Sequence, residues 1–147
     1  MDRRTGYIIM SLIAALLFFL AVGYNGWKCG PSILSGPCTS NVNNPTTGAL
    51  LLCAGFVIFL EAILYIFVTV TDSYYVAVAA TFVVGFAAIL GMAGVFYYYH
   101  NEDPPRWSPT IATMGMSISV TLACMTLYDF AAGTLWFQAD VCSIILK

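Results

Sequence analysis

The chain has 147 residues, of which 61% are hydrophobic and 8% charged, and its formal net charge is −2. A soluble domain carries about 25% charged and about 45–50% apolar residues, so this composition speaks against a water-soluble globule and against a disordered chain. Nucleic acid is an equally poor partner, because no basic stripe is present.

A hydrocarbon core about 30 Å thick is crossed by about 20 apolar helical residues. Four stretches meet that requirement. The first covers about 7–24 (YIIMSLIAALLFFLAVGY) and holds no charge. Arg3 and Arg4 precede it as they would a secretory signal, but the apolar stretch is long and the Gly-Tyr-Asn-Gly-Trp that follows is a poor cleavage site. It reads as a retained first helix. The second stretch, about 48–70, contains Glu61; the third, about 74–99, is charge-free and rich in Gly and Ala. The fourth starts after Pro109 and runs over about 110–130, with Asp129 near its end. Lipid supplies no hydrogen-bond partners, so these runs are expected to be helices. The predicted fold is an all-α four-transmembrane-helix bundle with short loops, a single domain over 1–147.

Thr71-Asp72-Ser73 reads as a tight turn, and the prolines of 100–109 end one helix and open the next. The longest connector, Asn25 to Thr47, is rich in turn-forming Gly, Pro, Ser, Thr and Asn. Arg3 and Arg4 favour a cytoplasmic N-terminus, hence two cytoplasmic termini. Cys29 and Cys38 then face the oxidising side. They read as a disulfide that stabilises the loop by about 2–3 kcal/mol; two free thiols are the alternative. Trp27 and Trp107 sit at the outer interface beside Tyr97, Tyr98 and Tyr99, an aromatic belt. Cys53 and Cys124 lie within apolar runs and read as packing residues, while Cys142 falls near the cytoplasmic end, where palmitoylation is conceivable.

Glu61 is the residue hardest to place. It lies about ten residues, roughly 15 Å, from the turn at Thr71 and so near the midplane. A charged acid there costs about 2.5–3.5 kcal/mol, which favours a protonated or hydrogen-bonded carboxyl. Thr113, Ser117 and Thr121 recur every four residues on the fourth helix, with Ser119 beside them, and are its expected partners. A structural hydrogen bond is the plainer reading; proton-coupled or cation-binding chemistry is the functional one. Asp129 is expected to snorkel to the inner interface, and His100 to be solvated. Thr81, Gly85, Gly91, Gly115 and Ser119 belong to small-residue stripes that let helices approach closely in lipid.

The sequence carries no Gly-x-Ser-x-Gly, His-Glu-x-x-His, phosphate loop or Cys-x-x-Cys, and has a single histidine. An enzyme is not expected, nor a cofactor, a metal site or a small-molecule substrate.

Gly26-Trp27 followed by Cys29 and Cys38, the third helix ending in Tyr97-Tyr98-Tyr99, and a short second loop with Trp107 resemble the claudin, peripheral myelin protein and epithelial membrane protein families. The resemblance implies that Cys29 and Cys38 are bridged, that the protein sits in the plasma membrane, and that Trp27 and Trp107 belong to an external contact surface. Claudin first loops are longer and place two residues between tryptophan and cysteine, whereas Lys28 alone stands there, which speaks against a charge-selective pore. MARVEL-type tetraspan proteins are similar in size. The expected function is cell–cell contact, barrier formation or membrane organisation, through contacts with like copies or other membrane proteins. The alternative is a small proton-linked transporter or an auxiliary channel subunit using Glu61.

Overall fold

The computed structural model describes residues 3–24, 27, 33–34, 43–71, 74–101 and 107–145, with side chains placed over 5–24, 27, 33–34, 44–71, 75–100 and 107–133. Four helices account for nearly all of it: α1 (Arg3–Gly23), α2 (Asn43–Thr71), α3 (Tyr74–Asn101) and α4 (Trp107–Ile145). Each is long and apolar enough to cross a bilayer, over Thr5–Gly23, Asn44–Thr71, Tyr75–His100 and Trp107–Gly133. The chain is therefore an all-α, multi-pass membrane bundle. Each helix packs on its successor and α4 returns to α1, closing a ring of four. One end of the ring carries the N-terminus and the α2–α3 link, and is called here the termini face. The other carries the long connector, and is called the loop face.

All four helices exceed their expected lengths, α2 and α4 by the most and for identifiable reasons. The α2 helix begins at Asn43 rather than near Gly48. Pro45 lies in its first turn, where an N–H has no intrahelical partner to lose. These first residues are polar, so an apolar-run criterion misses them. The α4 helix begins at Trp107, with Pro109 likewise in the first turn, and continues to Ile145 instead of stopping near Phe130. No proline interrupts 131–145, and Gly133 alone weakens it. The extra length is about 22 Å.

Small residues line the interior and large ones face outward. Ser11, Ala14, Ala15, Phe18, Ala21 and Val22 form the buried face of α1, repeating at helical spacing. Leu16, Phe56, Phe82 and Phe86 point away from the bundle. Lipid is as apolar as leucine, so burying large side chains brings little; close packing drives association instead. Phe18 sits at the hub. A Cβ added at Gly91 of α3 would lie 2.9 Å from the Phe18 ring, and one at Gly115 of α4 would lie 3.5 Å from it. Glycine at 91 is thus what lets α3 approach α1 across the ring.

Candidate functional site

A polar junction lies nearer the termini face, where α1, α2 and α4 meet; the buried hydroxyls of Thr47, Ser108 and Ser119 lie elsewhere in the bundle. Helical spacing puts Tyr7 and Ser11 on one face of α1, and Glu61 and Tyr65 on one face of α2. Glu61 is 0% exposed, and neither carboxyl oxygen has a hydrogen-bond partner of regular geometry. The Ser11 hydroxyl is also fully buried. Ser11 Oγ donates to the Tyr7 carbonyl at 2.7 Å. Tyr7 in turn donates its phenolic proton to Asp129 Oδ2 of α4 at 2.6 Å, a length typical of a hydroxyl on a carboxylate. The rings of Tyr7 and Tyr65 meet at a centroid distance of 5.5 Å.

This arrangement differs from the expected partnership of Glu61 with α4. Ser117 donates to Thr113 O at 2.9 Å, and Thr121 donates to Ser117 O at 2.8 Å. Thr113 is turned to Thr110 O at 2.7 Å. Each hydroxyl is satisfied on its own helix, and Ser117 and Thr121 are exposed on the bundle's outside. In lipid a polar group that bonds its own backbone avoids an unsatisfied state, so this ladder is spent locally. Asp129, expected to snorkel freely, is instead held by Tyr7. The sequence reading passed over Tyr7, Ser11 and Tyr65. Their signal is present all the same: two polar pairs at four-residue spacing inside apolar runs.

The loop face is built differently. Trp27 is 1% exposed, and its indole N–H donates to the Ala21 carbonyl at 2.8 Å. That carbonyl lies in the last turn of α1, where acceptors lack intrahelical donors. The Trp27 ring meets the Tyr98 ring edge-on, with centroids 5.0 Å apart, and Ile33 is fully buried nearby in the core. A Cβ at Gly48 would come within 2.8 Å of Ile33 and 2.9 Å of Leu34, so glycine there admits the connector against α2. Ser108 Oγ reaches the Tyr24 carbonyl at 3.4 Å, joining the start of α4 to the end of α1.

Trp27 is consequently an anchor and not an external contact, which corrects the sequence reading: its indole fills the end of the bundle. Trp107 is 82% exposed and stays available. Of the three tyrosines expected in one belt, Tyr98 turns inward while Tyr97 and Tyr99 face out. Cys29 and Cys38 lie outside the described residues, and the side chain of Cys142 likewise. Cys53 and Cys124 are free and exposed on the lipid-facing surface, contrary to the expectation that they pack inside.

The small residues divide in the same way. Gly91, Gly115 and Ser119 are buried within the bundle, where Ser119 donates to Gly115 O at 2.9 Å. They cannot serve a lateral surface. Thr81 and Gly85 line a groove of about 340 Å³ between α3 and α4, with Phe82, Phe86, Leu127 and Phe130. A Cβ at Gly85 would meet nothing within 4 Å.

Compared with known protein families, with curated proteins and with solved structures, the chain matches none.

Proposed function

We propose that this chain is a non-enzymatic tetraspan protein of the claudin-like type, working through lateral and external protein contacts in adhesion, barrier formation or membrane organisation. The plasma membrane, with both termini cytoplasmic, is its proposed setting. The observation that carries the reading is the anchoring of the connector: Trp27 and Ile33 are buried in the bundle end and Gly48 gives them room. Trp27 and Ile33 pin the connector to the bundle end, and such pinning lowers the ordering cost of a contact. Trp107 stands exposed at the start of α4 on the same face, and tryptophan is enriched at contact surfaces. The α3–α4 groove with Thr81 and Gly85 offers a lateral counterpart, where a small-residue stripe left unfilled by the chain's own helices admits another copy or a different membrane protein.

The test is an aggregation assay on cells expressing the full chain. Trp107→Ala should lower aggregation while leaving surface delivery intact. Cys29→Ser and Cys38→Ser should reduce delivery or aggregation to the same degree, as one shared bridge requires. Unchanged aggregation with Trp107→Ala would remove the external contact surface from the account.

A further inference from the structure

Independently of the contact reading, we propose that the outer surface of the bundle is matched to a thick bilayer. Its hydrocarbon would be about 30–33 Å deep, as in sterol- and sphingolipid-rich membranes, rather than the about 27 Å of the endoplasmic reticulum.

Aromatic rings that carry one polar group settle where hydrocarbon meets headgroups, so their levels along a helix mark where the apolar band ends. The described residues hold such rings at both ends of the bundle. At the termini face, Tyr75 of α3 is 84% exposed and Tyr128 of α4 is 70% exposed. At the loop face, Tyr97 and Tyr99 of α3, Tyr24 after α1 and Trp107 of α4 are exposed. For Trp107 only its level counts here, whatever covers its ring. Tyr75 and Tyr97 are 22 residues apart, about 33 Å along the helix. Trp107 and Tyr128 are 21 residues apart, about 32 Å. Two helices thus give one height. From Arg4 to Tyr24, α1 gives about 30 Å, to which a snorkelling arginine adds. A tilt of about 20° takes about 2 Å from each figure, which leaves the band taller than the thinner bilayer.

The surface between the two levels agrees with that height. No charged residue, tyrosine or tryptophan lies between Tyr75 and Tyr97 or between Trp107 and Tyr128. The exposed rings in the α3 interval are Phe82, Phe86 and Phe96. The exposed hydroxyls of Ser117 and Thr121 are bonded to their own helix. On α2 the two groups that would interrupt the band, Glu61 and Tyr65, are turned inward. In a thin bilayer about a turn of this apolar surface would be left uncovered, and the cost grows with each ångström of mismatch.

Lipid competition tests the match. The full chain with Trp136→Phe keeps buried Trp27 and exposed Trp107, so Trp107 reports the surface. It is reconstituted in vesicles mixing two phosphatidylcholines, with hydrocarbon of about 27 and about 33 Å. One of the two carries bromine near the glycerol end, at the depth of Trp107, and bromine quenches tryptophan on contact. The thick lipid should be preferred at least about twofold, as a mismatch of several ångströms implies. Equal or reversed preference overturns the proposal without any change to the girdles. A second protein adds Tyr75→Leu, Tyr128→Leu, Ala79→Tyr and Cys124→Tyr, which moves the termini-face girdle about 6 Å inward at exposed positions. Its preference should turn to the thin lipid. Undiminished preference for the thick lipid would mean that the girdles do not set the match, and would overturn the proposal as well.

Discussion

The two ends of the bundle are held by opposite chemistry. At the loop face an aromatic and aliphatic interlock of Trp27, Ile33 and Tyr98 closes the ring, with one indole hydrogen bond to the Ala21 carbonyl. Nearer the termini face, hydroxyls and carboxyls from three helices meet in the interior. The first kind of closure rests mainly on shape, although it also buries the hydroxyls of Thr47 and Ser108. The second buries the Glu61 carboxyl with neither oxygen hydrogen-bonded among the described residues. The comparison therefore sets an aromatic closure at one end against a polar junction at the other.

That division can be broken by substitution. Trp27→Ala should have the largest effect, about 3–5 kcal/mol, because it opens a cavity where a fully buried aromatic stood. Reversible unfolding in mixed micelles measures it, and a loss below about 1 kcal/mol would mean the interlock does not hold the end. Tyr7→Phe should cost less, about 0.6–2 kcal/mol, the range of interhelical hydrogen bonds in membranes. The same cost measured in an Asp129→Asn background would show that the two groups are not coupled. Gly85→Ala should be smallest, within about 0.5 kcal/mol, since a methyl there meets no atom of the chain. If it nevertheless changes oligomeric state, the groove is a site of lateral contact.

The fold was legible because hydropathy is written locally. Each run from Tyr7, Gly48, Tyr74 and Pro109 onward announces a helix by length alone, and the structure places a helix at each. The helix ends were less so: Asn43 and Asn44 precede a proline that tolerates helix, and nothing in 131–145 marks a stop, so interfacial turns escape an apolar count. The site was half visible. Glu61 stood out as an acid in an apolar run, but its partner was sought on α4, where Ser117 and Thr121 repeat conspicuously. A repeat of hydroxyls four residues apart is also the pattern that satisfies itself along its own helix, and it does so here. Which helix neighbours which depends on the closure of α4 onto α1, and that is decided by packing around Phe18 rather than by any local motif. Trp27 shows the same limit: a loop tryptophan reads as exposed until the bundle end that receives it is seen.

The inward placement of Trp27 is the claim on which the anchoring of the connector depends, and tryptophan fluorescence tests it most directly. The chain has three tryptophans, so Trp107→Phe combined with Trp136→Phe leaves Trp27 as sole reporter in nanodiscs. The account predicts blue-shifted emission that aqueous iodide barely quenches. Quenching equal to that of a chain retaining Trp107 alone would place Trp27 in water and contradict it.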